Sequence, residues 1–176
     1  MEQYLTRKQA EDAFGKITRR ALSLPQDDGG GVRIAWPEES APAWKREEDV
    51  CFLRLESRED SYCSIRDGSH VPVEAGEGLL TTAAVRLWGV LWVLYGPNSL
   101  DRAECLRHKL LTPDIKYWTA QYGLYCIPGI GAPVRTPELI NGKWWERADL
   151  TALFYERTCR EDMIGLIESA DIQIKP

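Results

Sequence analysis

The stretch from Ala84 to Tyr95 is a run of aliphatic and aromatic residues with one charged position, and it ends abruptly at Gly96 and Pro97. β-Branched and aromatic side chains favour a strand, and proline lacks the N–H group that a strand ladder needs. Asn98 or Ser99 then stands where a side chain can cap the first N–H groups of a helix. The sequence therefore predicts a strand, a tight turn and a helix at the centre of the chain.

The size and charge of the chain limit what it can be. Its 176 residues are enough for one domain with a single core, and 44% hydrophobic with 28% charged residues is ordinary for a folded protein. A net charge of −5 provides no basic surface for gripping DNA, although it suits the wall of a passage that repels a DNA backbone. Seven Trp and seven Tyr against three Phe favour a protein that forms interfaces.

The first third of the chain predicts one helix and two strands. Thr6 and Gln9 have the spacing of a capping box, and the helix that begins there continues in a 3.6-residue apolar period until Pro25. Residues 32–36 and 50–56 have the composition of strands.

Residues 57–78 contain few strong apolar positions, and such long polar segments in compact domains are usually functional or disordered. Two interpretations remain open. The segment is either a solvated loop or loose hairpin, or a flexible arm that becomes ordered against a neighbouring subunit.

Further elements follow the central strand. Leu100, Ala103, Leu106 and Leu110 predict the apolar side of the second helix, and residues 114–122 predict a third helix that ends near Gly123. Residues 124–127 are long enough only for an edge strand or an extended link, and residues 128–133 form a kinked loop.

Asn141 and Gly142 form the strongest short hairpin signal in the chain, because a type I′ turn requires positive φ at both central residues. Residues 144–155 then predict a strand. The better candidate for its core face is formed by Trp144, Glu146, Ala148, Leu150, Ala152 and Phe154. Residues 162–169 predict a short helix, and residues 172–174 a last strand.

The residues that carry chemistry do not form a recognisable catalytic, cofactor-binding or metal-binding pattern. Cys105 and His108 lie three residues apart on a predicted helix, a spacing that resembles a nucleophile and base but also arises by chance. Five cysteines without a C-x-x-C pair, and an N-terminus without a signal-peptide pattern, predict reduced thiols in a cytoplasmic assembly compartment. The mixed charges of residues 45–49 predict a solvated loop. We therefore expect no enzyme, no cofactor, no metal and, since the apolar run 87–95 is too short, no membrane span.

The tryptophans of the predicted strands allow two roles. Trp88 and Trp92 share a face of the central strand, where packing in the core is the simpler interpretation. Trp144, Trp145 and Tyr155 lie on or after the hairpin and are candidates for a subunit interface, because hairpins near sheet edges can pair with a partner's sheet.

The order of these features resembles the tail terminator, or neck terminator, proteins of long-tailed bacteriophages. The resemblance covers residues 80–176 and rests on two motifs: Tyr95-Gly96-Pro97-Asn98, and the turn Asn141-Gly142 followed by Trp144-Trp145-Glu146-Arg147. It implies a single α+β domain over residues 1–176, with a central mixed or antiparallel sheet flanked by helices. Tyr95, Gly96, Pro97, Asn98, Asn141, Gly142 and Arg147 would then have structural roles.

The resemblance also implies a function without catalysis. Such a protein forms a homo-hexameric ring on the last ring of the tail tube, contacts the tail tube protein and the head-side connector or stopper protein, and lets DNA pass without sequence-specific binding. We accordingly expect a virion protein at the tail–neck junction. The alternatives are a neighbouring tail completion or head-closure protein and, in a different class, a small cytoplasmic α/β enzyme or regulatory module.

Overall fold

Three α-helices and nine strands make up the described part of the chain, which in this computed structural model comprises residues 4–26, 31–35, 44–74 and 76–166. The helices are α1 (Arg7–Ala21), α2 (Ser99–Leu110) and α3 (Pro113–Ala120). The strands are β1 (Val32–Ile34), β2 (Val50–Arg58), β3 (Arg66–Glu74), β4 (Glu77–Tyr95), β5 (Leu124–Cys126), β6 (Val134–Arg135), β7 (Glu138–Ile140), β8 (Lys143–Trp145) and β9 (Arg147–Gly165).

The sheet is organised around β4 and β9, which pair antiparallel along all 19 residues of each strand, a length of about 60 Å. The strand order is β1-β2-β4-β9-β5, with β3 beside the first half of β4 and β6 beside the start of β9. Because β1 and β2 are parallel and the other pairs are antiparallel, the sheet is mixed. The fold is a single compact α+β domain, as predicted.

The core lies between the three helices and one face of the sheet, here called the front face. Trp92 is fully buried there and its indole N–H donates to the Thr18 hydroxyl of α1 over 2.8 Å. Phe14 of α1 meets Phe154 of β9 edge to face at 4.9 Å between ring centroids. The predicted core side of the last long strand is confirmed from Ala148 onward, and the core role of Trp88 and Trp92 is confirmed as well.

The predicted start of α1 and the predicted hairpin turn are confirmed, whereas α1 ends at Ala21 and not just before Pro25. The Thr6 hydroxyl accepts the backbone N–H of Gln9, and the Gln9 side chain accepts that of Thr6, which completes the capping box. Asn141 and Gly142 have φ of 49° and 74°, as a type I′ turn requires.

The segment 57–78 contains a regular hairpin, which agrees with the interpretation of a solvated hairpin, while ordering against a neighbouring subunit stays a prediction. After a 3₁₀ helix at Ser61–Ser64, β3 pairs with the first half of β4. We call β3, residues 77–86 of β4 and residues 157–165 of β9 the β-arm. With Gly78 as the exception, its described side chains are half-buried or exposed, so water reaches both faces. This explains why the segment lacks the alternation of a half-buried strand.

Several boundaries in the C-terminal half differ from the predictions. The strand expected over 144–155 is interrupted at Glu146, which leaves Trp144 exposed on a separate hairpin and not in the core. The helix predicted from Asp162 is wrong, since residues 162–165 continue β9 and pair with β4. Most of the rest of that predicted helix, the predicted strand 172–174 and Trp36 at the end of the predicted strand 32–36 lie outside the described residues.

The predictions for the middle of the chain are largely correct. The third helix ends at Ala120 and not at Tyr122, and Gly123 has a φ of 69° where the chain turns into β5. β5 pairs with β9 as an edge strand, whereas β6, only two residues long, was not predicted.

A buried carboxylate joins the front core to the β-arm. Glu156 is 1% exposed and accepts N–H groups of Arg86, at 2.9 and 2.5 Å, and of the Trp88 indole, at 2.7 Å. Its second oxygen accepts the backbone N–H of Leu5 at 2.6 Å, while Arg86 donates to the Leu5 carbonyl. The charge is therefore fully hydrogen-bonded, and it fixes the chain before α1 to the middle of the sheet.

We expect Glu156→Gln to lower the free energy of unfolding by about 3 kcal/mol, because it leaves the Arg86 guanidinium without its charge partner at a mostly buried position. Chemical denaturation measures the change. Glu77→Gln, at an exposed position of the same sheet, is the control, with an expected change of within about 0.5 kcal/mol. Equal stability of the two variants would contradict the structural role of this cluster.

We expect Gly142→Val to destabilise the protein by about 1–3 kcal/mol, because a β-branched residue is strained at positive φ. A Cβ atom there meets nothing within 4 Å, so the cost is backbone strain and not crowding. Gly142→Asn is the matched control, since Asn tolerates this conformation. An unchanged melting temperature for the valine variant would argue against the type I′ turn.

Candidate subunit-contact site

The turn after β4 depends on a glycine. Gly96 has a φ of 113°, its N–H donates to the Glu146 carbonyl at 3.2 Å, and a Cβ atom would lie 2.7 Å from the Glu48 carbonyl oxygen and closer still to the Asp49 carboxylate. Real Cβ contacts are never that short, so only glycine fits. The backbone therefore turns from β4 into α2 at a position where any residue larger than glycine would collide with Glu48 and Asp49.

The cap of α2 comes from a different residue than predicted. Asn98 occupies the N-cap position, but its side chain makes no capping hydrogen bond and donates instead to Asp49 at 2.9 Å. Asp49 also accepts the Asn98 backbone N–H at 3.1 Å and lies 3.6 Å from Arg102 of α2. The negative charge stands at the helix N-terminus, where it is favourable. Asp49 is therefore a structural residue, so the predicted solvated loop is confirmed for the exposed residues 45–48 and is wrong only for Asp49.

Four aromatic rings pack together at this end of the back face, the sheet face opposite the helices. This aromatic corner consists of Trp44, Phe52, Tyr95 and Trp145. Trp44 lies 4.8 Å from Phe52 and 5.8 Å from Trp145, and Tyr95 lies 6.5 Å from Trp145, each pair edge to face. The rings attach the β7–β8 hairpin to the sheet.

A charge network reinforces the same attachment. The Tyr95 hydroxyl donates to Glu138 of β7 at 2.5 Å, and Arg147 donates to Glu138 at 3.1 Å and to both oxygens of Asp149 at 2.8 Å. The hydrogen bond from Tyr95 lowers the pKa of Glu138, and burial together with this bond raises the pKa of Tyr95 to about 12. Hydrogen bonding to Asp149 raises the pKa of Arg147. Near neutral pH, Tyr95 is therefore neutral, Glu138 is negatively charged and Arg147 is positively charged.

The outer side of the hairpin is apolar and exposed. Leu139 and Trp144 pair across its two strands, and they are 57% and 66% exposed. We call these two side chains the hairpin knob. Lys143 precedes Trp144 and is exposed as well. An adjacent pair of large apolar side chains on a firmly attached hairpin is typical of a protein contact surface.

Tyr155 belongs to a second surface further along the sheet. Its hydroxyl donates to Asp60, which also accepts the backbone N–H groups of Tyr62 and Cys63 and so orients the Tyr62 ring at 6.0 Å from Tyr155. The hydrogen bond lowers the pKa of Asp60 and raises that of Tyr155 to about 12. A groove of 490 Å³ opens beside these rings. We call it the tyrosine groove and define it by Tyr62, Ile65, Val85, Tyr125 and Tyr155.

The structure places the residues predicted from the sequence as motif or interface residues in several different locations. Tyr95, Gly96, Trp145 and Arg147 lie together at the corner, with Pro97 and Asn98 in the turn and Asn141 and Gly142 at the hairpin tip. Trp144 points away from the corner, and Tyr155 lies in the groove. Sequence reasoning missed Trp44, Asp49, Glu138 and Glu156. The signal for Asp49 was the register, because Val50 pairs with Tyr95 and so places Asp49 beside Gly96.

Two of the five thiols, Cys51 and Cys126, have raised pKa values. Burial raises the pKa of Cys51 to about 12 and that of Cys126 to about 11, which keeps both thiols protonated. Within residues 4–26, 31–35, 44–74 and 76–166, no three His, Cys, Asp or Glu side chains are grouped so that they could hold a metal ion. No helix in the same residues is long and apolar enough to cross a membrane.

An α+β subunit with two separate, exposed apolar surfaces has the character of a protein that assembles with other chains. A family model described as phage neck terminator protein matches residues 8–176, and the chain belongs to this family. The match extends the resemblance of residues 80–176 to nearly the whole chain and confirms it. The chain is accordingly a structural protein of the phage neck. No curated protein matches it.

We expect Gly96→Ala to lower the free energy of unfolding by about 3 kcal/mol or more, because a Cβ atom there strains the backbone and collides with Glu48 and Asp49. Gly129→Ala is the matched control: φ is 102° at that glycine, but a Cβ atom meets nothing within 4 Å. The control is expected to cost only the strain, about 1 kcal/mol. Equal losses in thermal unfolding would show that the close packing of Asp49 against Gly96 is unimportant.

Proposed function

We propose that six copies of this protein form a ring on the last ring of the tail tube, where the ring stops tube growth and binds the head-side connector or stopper protein. The family match over residues 8–176 carries the proposal. The protein acts by geometry and assembly, without catalysis, cofactor or metal.

The shape of the subunit supports this role. A cyclic ring needs two different surfaces on each subunit, because each copy contacts its two neighbours through unlike patches. The hairpin knob and the tyrosine groove are two such surfaces. We expect each subunit to bury about 800 Å² or more against each neighbour, the size of a standard specific interface.

The charge of the chain supports passage of DNA through the ring without sequence-specific binding. A net charge of −5 disfavours tight contact with phosphates and suits a lumen that DNA slides through. The proposed location is the tail–neck junction of the virion.

Deletion of the gene from its phage tests the proposal. Heads are expected to fill with DNA and tails to assemble, but the two fail to join, and tails reach abnormal lengths because the open end of the tube continues to accept tube subunits. Electron microscopy of the lysate shows both effects, and a reconstruction of the wild-type neck shows the symmetry at this position.

Complementation provides the control. A plasmid with the wild-type gene is expected to restore infectivity, and so is Cys63→Ser, since the thiols have no proposed role. Joined particles with tails of normal length in the deletion lysate would refute the proposal. Empty heads beside normal tails would assign the protein to the head side instead, and a neck symmetry other than six-fold would refute the hexamer.

A further inference from the structure

The β-arm has an open edge on each side. In the part of the chain that the structure describes, β3 pairs with β4 alone, while β5 and β6 line the far side of β9 only as far as Glu156. Edge strands present backbone N–H and C=O groups that can pair with a further strand. Water also reaches both faces of the β-arm, whereas a small sheet normally needs one apolar, covered face to be stable. A partner strand at either edge would therefore stabilise the β-arm.

Hydrogen bonds determine which residues of β9 direct their backbone groups outward. The N–H of Arg157 donates to the Gly123 carbonyl at 3.2 Å, on the side of β9 away from β4. Backbone groups alternate between the two sides of a strand, and the register of β4 with β9 continues to Gly165 without a shift. The N–H and C=O groups of Cys159, Met163 and Gly165 therefore point away from β4.

The same alternation determines the outward groups of β3. Even-numbered residues of β4 bond toward β9, so the even-numbered residues of β3 that lie opposite them point outward. Pro72 agrees with this assignment, because proline is accepted in a sheet where its nitrogen faces away from the ladder. The N–H groups of Arg66, Gly68 and His70 therefore face the open edge.

The two edges are complementary in direction. β3 and β9 both run antiparallel to β4, so they are parallel to each other. A second copy that is displaced sideways in the same orientation brings its β3 alongside β9 as a parallel strand. In a parallel pair, a residue that directs its groups to the partner lies opposite one that directs them away. Level pairing meets this condition, because the even-numbered residues of β9 bond to β4 while those of β3 point outward.

The side chains at the two edges also match when the strands pair level. The rows that β4 already defines are Arg66–Thr158, Asp67–Cys159, Gly68–Arg160, Ser69–Glu161, His70–Asp162, Val71–Met163 and Pro72–Ile164. No row places two like charges opposite each other, and the apolar residues meet one another. Val71 and Met163 are 63% and 58% exposed in the single subunit, so level pairing covers the largest apolar side chains at the two edges.

We infer that the β-arms of neighbouring subunits join edge to edge, with β9 of one copy pairing in parallel with β3 of the next and Cys159 level with Asp67. The inference rests on the proposed function and adds a backbone contact to the side-chain surfaces described above. Because the two edges differ, each contact leaves one edge open on either copy, and pairing repeats until the ring closes. In the closed ring no edge of a β-arm remains open.

A disulfide between copies tests this register. Asp67→Cys places a thiol level with the native Cys159 of the next copy, and particles from the complemented deletion phage are oxidised with copper phenanthroline and separated on a denaturing gel without reductant. We expect a ladder of covalent oligomers that ends at six copies. A disulfide within one subunit is excluded, because positions 67 and 159 lie two strand spacings apart, about 9.5 Å, and a disulfide spans at most about 7 Å between Cα atoms.

Three variants control the crosslink. Asp67→Cys combined with Cys159→Ser should give no ladder, and Ser69→Cys, two residues away from the row of Cys159, should give about tenfold less crosslinked protein. Val71→Cys combined with Met163→Cys is a second level pair and should give the same ladder as Asp67→Cys. The inference is wrong if neither level pair crosslinks, if Ser69→Cys crosslinks better than Asp67→Cys, or if the crosslinked species stop at two copies.

A proline at the edge tests the backbone contact independently. His70→Pro removes an N–H that has no partner within the part of the chain that the structure describes, so the melting temperature of the isolated protein should stay within about 2 °C of the wild type. In the ring the same change removes one hydrogen bond at every contact and leaves a carbonyl of β9 unpaired. We expect about tenfold or greater loss of infectivity in complementation. His70→Ala keeps the N–H and should complement to within about twofold of the wild type, and equal titres for both variants would overturn the inference.

A reconstruction of the wild-type neck separates failure of this inference from failure of the proposed function. A six-copy ring in which β3 and β9 of neighbouring subunits are apart would overturn the inference and leave the proposed function standing. If the protein forms no ring at the neck, the proposed function itself is wrong. A ring with a continuous sheet through neighbouring β-arms is the expected result.

Discussion

The pairing of β4 with β9 is the constraint on which the rest of the structure depends. Its register sets Trp88 opposite Phe154 on the front face and Tyr95 opposite Arg147 on the back face. A shift by one residue would turn the buried front residues toward water, so the core holds the register in place. The same register then determines where the corner, the hairpin and the groove lie, although none of them belongs to the front core.

The buried Glu156 marks the boundary between two halves of this strand pair. On one side the front face is covered by helices, and on the other the β-arm is open to water on both faces. A carboxylate with 1% exposure is tolerated here because Arg86, Trp88 and Leu5 satisfy its oxygens. A buried carboxylate is strongly destabilising when it loses a hydrogen-bond partner. Because the backbone N–H of Leu5 is one of the partners of Glu156, the N-terminal chain is held in one position. The cluster thus ties α1, through the residue before its cap, to the point where the core ends.

Sequence reasoning succeeded where the signal is local. The capping box at Thr6, the turn at Asn141 and Gly142, and the end of β4 at Gly96 depend on residues a few positions apart, and each is found as predicted. Residues 66–74 were not predicted as a regular strand, because a strand with solvent on both faces has no alternation of apolar and polar residues. Asp162 and its neighbours read as a helix because their own spacing permits one, while pairing with β4 decides for a strand. The cap from Asp49 depends on a contact 49 residues away in sequence, which no local pattern contains.

A ring closes at a fixed number of subunits only if its two contact surfaces keep a fixed angle to each other. The hairpin knob and the tyrosine groove are attached to the same strand pair: the knob through Trp145 and Glu138, and the groove through Tyr155 and Val85. The helices support that pair by packing against its front face between Trp88 and Leu94. In the proposed ring, the front core would therefore affect assembly indirectly. It fixes the relative positions of the knob and the groove, although neither surface belongs to the core.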